Sequence, residues 1–192
     1  LREVAWTEGP LVGRPILAFN PQSLIAMRGL MRVGRPVDVR FTDVTGEAGL
    51  SDAGIVPTAL ALGDYDGDGE DNLFVAPASL YNVHGGFIAD VTAQSGLALP
   101  AGAAYATFAD YDNDGWLDLF AIGRDGRGYL LRNDGTGKFR DVTVSARVGD
   151  GGGGARKALF VDLDHDGDLD LLFVSETGNR TYRNNLDGTF TE

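Results

Sequence analysis

A nine-residue acidic loop occurs three times in this sequence, and it constrains the fold more than any other feature. Each copy has Asp at positions 1, 3 and 5 and Gly at position 6, and the copies begin at Asp64, Asp110 and Asp162. An Asp-Val-Thr triplet precedes each loop by 20 or 21 residues, at Asp43, Asp90 and Asp141. Successive triplets are 47 and 51 residues apart, a period that indicates a repeat architecture.

Short apolar runs flank every loop and predict β-strands. The runs before the loops are 59–62, 105–109 and 158–161, and those after them are 73–76, 117–122 and 169–174. Their short length and their Gly and Asp boundaries favour strands over helices. Each unit closes with a hairpin signal, which aligns the triplets Leu80-Tyr81-Asn82, Leu131-Arg132-Asn133 and Tyr182-Arg183-Asn184. Each unit is therefore predicted to hold four antiparallel strands, like one blade of a β-propeller.

The repeat predicts an all-β fold with an N-terminal arm and three propeller blades. The arm is 1–40, the blades are about 41–87, 88–138 and 139–189, and the last residues reproduce the start of a fourth unit. The arm is predicted to be extended, with one short helix ending near Gly34. Because propellers close with four to eight blades, three would be an incomplete propeller with two open sheet faces. The remaining blades or another protein are the expected partners of those faces.

Composition excludes several other classes of protein. The chain has no cysteine, so disulfide frameworks and thiolate sites are excluded. His84 and His165 lie in turn-like sequence without a partner motif, and no catalytic constellation is found, so we predict a protein that is not an enzyme. The net charge of −12 opposes binding to nucleic-acid phosphates. No apolar run reaches the ~18 residues of a membrane span.

The acidic loops predict calcium sites. Calcium takes six to eight oxygen ligands, and alternating Asp side chains around a tight turn bring such oxygens together. The position-6 glycine permits the sharp turn, position 7 offers a backbone carbonyl, and position 9 offers a side-chain oxygen. The predicted ligands are Asp64, Asp66, Asp68, Glu70 and Asn72 in loop 1, Asp110, Asp112, Asp114, Trp116 and Asp118 in loop 2, and Asp162, Asp164, Asp166, Asp168 and Asp170 in loop 3. Up to three Ca²⁺ ions are predicted.

Other interpretations of the loops are weaker. Fourteen of the 28 acidic residues lie in these loops, and carboxylates so close together repel strongly without a cation. An EF-hand is excluded because position 12 is Val75, Ala121 or Phe173 where that motif has Glu. Magnesium demands stricter octahedral geometry. The remaining alternative is an Asp-rich turn without a metal, since Asp and Gly favour turns by themselves.

Three sequence elements occur together in this chain: Phe41-Thr-Asp-Val-Thr-Gly-Glu-Ala-Gly-Leu50, Gly63-Asp-Tyr-Asp-Gly-Asp-Gly69, and Tyr182-Arg-Asn-Asn-Leu-Asp-Gly-Thr-Phe190. Together they resemble the FG-GAP/VCBS repeat family, and most closely its ASPIC/UnbV (cartilage acidic protein) branch. The resemblance implies a β-propeller of about seven blades related to the integrin α-subunit head. It also implies calcium in the Asp-x-Asp-x-Asp-Gly loops and a location outside the cytoplasm, either periplasmic, at the cell surface or secreted.

Three functional hypotheses follow, because function has to be argued from a site and not from a fold. The first is a non-catalytic, calcium-stabilised module for protein–protein interaction, acting as an accessory subunit of an extracytoplasmic complex. The second is a lectin-like propeller that binds a glycan, for which Trp116 is the candidate aromatic within the repeats. The third is the propeller part of a larger hydrolase or lyase.

Overall fold

The computed structural model describes residues 41–43, 45–48, 58–100, 102–148 and 154–192. The predicted N-terminal arm and its helix, residues 1–40, lie outside these ranges. All the strands below belong to one compact unit, Val44–Glu192. Within the described residues, no helix has the length and apolarity needed to cross a membrane.

Twelve strands in the described residues form three four-stranded antiparallel sheets. Sheet 1 contains β1 (Leu60–Gly63), β2 (Asn72–Val75), β3 (Ser79–His84) and β4 (Phe87–Asp90). Sheet 2 contains β5 (Ala103–Ala109), β6 (Asp118–Gly123), β7 (Gly128–Asn133) and β8 (Phe139–Asp141). Sheet 3 contains β9 (Ala155–Val161), β10 (Asp170–Ser175), β11 (Arg180–Asn184) and β12 (Phe190–Thr191). Consecutive strands are neighbours in every sheet, so the predicted all-β fold of three blade-like sheets is confirmed.

The sheets are offset from the sequence repeat. Strand β4 pairs with β3 although residues 88–90 open the second repeat unit, and β8 pairs with β7 in the same way. Strand β12 pairs with β11, so Phe190 and Thr191 complete sheet 3, whereas the repeat assigns them to the start of a fourth unit. The reason is that a short hairpin connection forces the residues after the turn to pair with the strand before it. The division into an arm and three repeat units stays a prediction.

The strand register also corrects the alignment of the closing hairpins. Leu73 pairs with Tyr81, Leu119 with Leu131, and Leu171 with Tyr182. Counting onward from these pairs, the counterparts of Asn82 are Arg132 and Arg183, and the counterparts of Val83 are Asn133 and Asn184. Matching by residue type fails here because the first hairpin turns in two residues, 85–86, whereas the others use 134–138 and 185–189.

Two apolar clusters hold the three sheets together. The cluster between sheets 1 and 2 includes Phe74, Leu80, Leu119 and Phe139, and that between sheets 2 and 3 includes Phe120, Leu130, Leu171, Phe173 and Phe190. Phe120 packs edge to face against Phe160 and Phe173, with ring centroids 5.8 and 5.5 Å apart. Every residue of β6 is buried, because sheet 2 is covered on both faces. This packing fixes the loops that connect the first two strands of each sheet.

Candidate metal centres

The three acidic loops share one backbone conformation. Each joins the first and second strands of its sheet. Position 4 is left-handed in all three, with φ of 73° at Gly67, 57° at Asn113 and 64° at His165. The position-6 glycines have φ of 89°, 90° and 99°, values that a side chain would strain. The His165 side chain is exposed, which agrees with a solvated turn residue.

The first aspartate of each loop closes the turn. In loop 1, Asp64 accepts backbone N–H bonds from Gly67, Asp68 and Gly69 at 2.8, 3.1 and 2.9 Å. In loop 2, Asp110 accepts the N–H groups of Asp114 and Gly115 at 3.1 and 3.0 Å. In loop 3, Asp162 Oδ2 accepts the Gly167 N–H at 3.3 Å. These bonds turn the position-1 carboxylates toward the interior of their loops.

The position-9 side chains are buried beneath the loops. Asn72, Asp118 and Asp170 are at most 1% exposed. Their Oδ1 atoms accept the backbone N–H groups of Val83, Asn133 and Asn184, at 2.9, 2.8 and 2.9 Å. Burial raises the pKa of Asp118 to about 8, against backbone hydrogen bonds that lower it. A carboxylate in such a place is stable as an anion only beside a compensating positive charge.

Each loop brings three carboxylates within reach of one ion. In three groups, one carboxylate oxygen from each residue lies within 4.8 Å of one from each of the others: Asp64, Asp66 and Asp68, then Asp110, Asp112 and Asp118, then Asp162, Asp164 and Asp170. Nine of the fifteen predicted ligands therefore converge, three in each loop. A further group of the same kind contains Asp68, Glu70 and His84. Distances of this size suit oxygens arranged around one cation.

Four other predicted ligands lie outside those three convergent groups, and the structure places their polar atoms as follows. Glu70 accepts the Gly85 N–H at 2.7 Å through Oε2. Asp114 Oδ1 accepts the Trp116 N–H at 3.0 Å, and Asp166 Oδ1 accepts the Asp168 N–H at 3.3 Å.

The remaining two predicted ligands differ in character. Asn72 donates an Nδ2–H bond to Asp66 Oδ1 at 2.9 Å, so its amide is already engaged on both sides. Asp168 was predicted as a carbonyl ligand, but its side chain is also buried, at 1% exposure. The nearby Asp166 carboxylate and burial raise the pKa of Asp168 to about 6. Loop 3 therefore holds one more buried carboxylate than the sequence pattern predicted.

Side chains from the third strand of the sheet contact the first two loops. The Arg132 guanidinium donates to Asp112 Oδ2 at 2.6 Å and to Asp114 Oδ2 at 3.0 Å. In loop 1, Asn82 donates to Asp66, and His84 Nδ1 lies 2.8 Å from Asp68 Oδ2. Sequence analysis missed these residues because they follow the aspartates that they contact by 16 to 20 positions. Asn82 and Arg132 belong to the closing triplets, so the repeat of the triplet was the available signal for these two residues.

Two buried asparagines connect each loop to the next sheet, and these were also missed. Asn133 Nδ2 donates to Tyr65 O at 2.7 Å and to Leu117 O at 3.1 Å, joining loops 1 and 2. Asn184 repeats this link with carbonyl oxygens of Tyr111 and Leu169, at 2.7 and 3.2 Å. These bonds tie the conformation of each linked loop to the contact between neighbouring sheets.

Trp116 is only partly exposed. It lies against Gly67 in loop 1 and against Gly135 in the turn between β7 and β8. A Cβ added at Gly67 would approach its Cζ3 to 2.8 Å, and one added at Gly135 would approach its Nε1 to 2.8 Å. Distances this short leave no room for a methyl group, so the indole packs against the backbone on two sides.

We expect Gly135→Ala to destabilise the protein by about 2 kcal/mol, because it adds a clash with Trp116 to the strain of a left-handed alanine. Gly188→Ala is the matched control, since φ is 76° at Gly135 and 79° at Gly188, and no atom lies within 4 Å of the Gly188 Cβ position. Urea unfolding measures the free energy of unfolding of both variants. Equal losses in the two variants would contradict the packing of Trp116.

Comparisons with known proteins bear on the central part of the chain. Residues 110–173 match the FG-GAP-like repeat family. The match runs from loop 2 through loop 3, and it supports the resemblance to the FG-GAP/VCBS family; the ASPIC/UnbV branch stays a prediction. No curated protein sequence matches the chain.

Among solved structures, the chain is similar to an Agrocybe aegerita lectin described for its specific recognition of non-reducing terminal N-acetylglucosamine. The identity is 21% and the TM-score 0.44, over 69% of this chain and 36% of the lectin chain. The chain thus spans about a third of the length of that lectin. A likeness at this level carries no information about a ligand.

Proposed function

We propose that the three loops bind Ca²⁺ and that the protein is a calcium-stabilised, non-catalytic propeller module for protein–protein interaction. One observation carries the calcium part of this proposal. In the part of the chain that the structure describes, four buried side-chain nitrogen or oxygen atoms lack a hydrogen-bond partner, and all four are aspartate oxygens of loops 2 and 3. They are Asp112 Oδ1, Asp162 Oδ1, and both carboxylate oxygens of Asp168.

Unpartnered buried oxygens discriminate between the two interpretations of the loops. In an Asp-rich turn without a metal, the carboxylates serve the turn, and their buried oxygens should end on N–H donors. Leaving a buried charged oxygen unsatisfied costs more than 1–3 kcal/mol, so such atoms call for a partner. A cation fits as that partner, because ionised aspartate oxygens accept hydrogen bonds and ligate metals but cannot donate.

The donor set favours calcium among common cations. The proposed first ligands are the three convergent carboxylates of each loop, with Asp168 added in loop 3. All are oxygens, which suit hard cations, and neither Cys nor a close pair of His is present in the loops. Calcium accepts irregular sets of six to eight oxygens more readily than magnesium does. The bound ion would supply positive charge at the junction between sheets.

The proposed interaction role is based on exposed apolar side chains and not on a binding cleft. Both outer sheet faces carry exposed aliphatic side chains, including Leu62 and Leu159, and large apolar patches mark interaction sites. We infer a location outside the cytoplasm, where weak carboxylate sites of extracellular modules fill with calcium. We also propose that the chain belongs to the ASPIC/UnbV branch of the FG-GAP/VCBS family.

The two alternative functions receive less support from the described residues. A lectin-like site needs an aromatic face open beside polar groups, and the Trp116 indole packs against Gly67 and Gly135. A hydrolase or lyase would have its catalytic groups outside the described residues.

Titration calorimetry of chelator-treated protein with Ca²⁺ tests the proposal. We expect three ions per chain, and we expect Asp118→Asn to weaken the loop 2 site on the order of tenfold, because ligand charge tunes affinity. We expect the fold to tolerate asparagine at this position of loop 2, since Asn72 occupies the same position in loop 1. Asp71→Asn is the matched control, as this loop residue is exposed and belongs to no convergent group.

The outcomes separate cleanly. Three sites in the native protein and in Asp71→Asn, with a weakened one in Asp118→Asn, support the assignment. Absence of binding heat with unchanged stability would exclude structural calcium. Equal weakening in both variants would mean that net charge, and not ligation, governs the binding.

A further inference from the structure

The three acidic loops differ in how far the protein itself satisfies their carboxylates. Within the described residues, loop 3 has three buried aspartate oxygens without a hydrogen-bond partner, loop 2 has one, and loop 1 has none. The loops share the left-handed conformation at positions 4 and 6, so the difference comes from the side chains around them. These side chains lie at position 9 of each loop and on the third strand of each sheet.

Loop 3 has the largest unmet demand for positive charge. It contains five aspartates, and no basic side chain in the described part of the chain forms an ion pair with them. Asp168 is 1% exposed, both of its oxygens lack a hydrogen-bond partner, and its carboxylate lies beside that of Asp166. Arg183 occupies the third-strand position that corresponds to Arg132, but its side chain is exposed.

Loop 2 has a partial counter-charge of its own. It contains four aspartates, and the Arg132 guanidinium donates to Asp112 Oδ2 at 2.6 Å and to Asp114 Oδ2 at 3.0 Å. The other oxygen of Asp112 is buried and has no hydrogen-bond partner. Asp112 also belongs to the convergent group of this loop, so the guanidinium lies close to the place that an ion would take. A positive charge there opposes the binding of a cation.

Loop 1 is satisfied by side chains of its own sheet. Position 9 is the neutral Asn72, which donates to Asp66 Oδ1 at 2.9 Å, and Asn82 donates to Asp66 Oδ2. The His84 ring contacts Asp68 Oδ2 at 2.8 Å. Two of the three convergent carboxylates therefore already have side-chain partners. Two further carboxylates of the loop lie outside that convergent group, on Glu70 and Asp71.

We propose that the three sites differ in calcium affinity and fill in the order loop 3, loop 2, loop 1, and that Arg132 lowers the affinity of loop 2. This inference rests on the proposed function. The affinity of a calcium loop depends on the number of ligand charges. Loop 3 offers carboxylates that no cation opposes, loop 2 offers fewer and holds a guanidinium among them, and loop 1 has an amide in place of one carboxylate. The protein would thus respond to calcium over a wider concentration range than three equal sites allow.

An NMR titration of the ¹⁵N-labelled full chain tests the order of the sites. The position-6 glycines report on their own loops, because the N–H of each donates to the first aspartate of its loop. The pairs are Gly69 with Asp64, Gly115 with Asp110, and Gly167 with Asp162. The titration starts from the calcium-loaded protein and lowers the free calcium with EGTA, so the first steps are made on folded protein. We expect the Gly69 resonance to move first, that of Gly115 next and that of Gly167 last.

Arg132→Gln tests the role of the guanidinium. The change removes a unit charge close to the loop 2 site, so we expect the calcium midpoint reported by Gly115 to fall on the order of tenfold. Arg183→Gln is the matched control, because the exposed Arg183 has the same strand position in sheet 3. Salt screens such an exposed charge, so the Gly167 midpoint should change by less than about twofold. Both arginines are substantially exposed, which keeps effects on folding small.

The other results overturn this inference, and they separate it from the proposed function. Three glycine resonances that move at one midpoint, or in a different order, would exclude the graded series while calcium binding stands. Weaker calcium binding in Arg132→Gln would mean that the guanidinium positions Asp112 for the ion and does not oppose it. Glycine resonances that do not respond to calcium at all would overturn both this inference and the proposed function.

Discussion

Removing calcium from the purified protein is expected to lower its melting temperature by roughly 15 to 30 °C. An ion present at a hundred times its dissociation constant stabilises the folded state by about 2.7 kcal/mol, so three ions contribute about 8 kcal/mol. For a domain of this size, 1 kcal/mol corresponds to about 2–4 °C in the melting temperature. A thermal melt followed by circular dichroism, with and without EGTA, measures the shift.

The control for calcium removal is to restore the ion. Adding excess Ca²⁺ after EGTA should recover the original melting temperature, and the same concentration of Mg²⁺ should recover much less of it. A melting temperature that EGTA leaves unchanged would contradict a structural role for the ion. Full recovery with Mg²⁺ would keep a metal site but remove the assignment to calcium.

Asn133→Ala is expected to destabilise the protein by about 3–5 kcal/mol. The Asn133 amide is fully buried and donates to Tyr65 O and Leu117 O, while its oxygen accepts the Gly135 N–H at 3.1 Å. Alanine leaves one buried and two partly buried backbone groups without this partner, and an unsatisfied buried group costs about 1–3 kcal/mol. Urea unfolding in calcium gives the change in the free energy of unfolding.

The control for this prediction is an exposed asparagine. Asn179 lies in the turn between β10 and β11, where it accepts one N–H bond from Ser175 at 3.3 Å. Asn179→Ala should change the stability by no more than about 0.5 kcal/mol. If Asn133→Ala were equally mild, the amide would not be the link between loops 1 and 2.

Much of the fold could be predicted from local sequence pattern. The short apolar runs around each loop identify the first two strands of every sheet, because alternation and length are local properties. The hairpins were harder, since residue type aligned Asn82 with Asn133 while the register pairs Asn82 with Arg132. Register depends on the length of each turn, and the Gly85–Gly86 turn is shorter than its counterparts.

The convergence of acidic side chains was predictable where these side chains are close in sequence. The Asp-x-Asp-x-Asp-Gly spacing predicted that the loop carboxylates converge, and three of them do so in each loop. Contacts from the third strand were not predictable in the same way, because Arg132 reaches Asp112 only once the sheet has formed. The buried Asp168 side chain was missed because the pattern assigns position 7 a backbone role only.

The measurement that tests calcium binding most directly is an anomalous difference map from a crystal grown in calcium. Our account predicts a peak in each of the three loops, bounded by the convergent carboxylates of Asp64, Asp110 and Asp162 with their loop partners. Loops that carry no peak and turn their aspartate side chains toward solvent would contradict it.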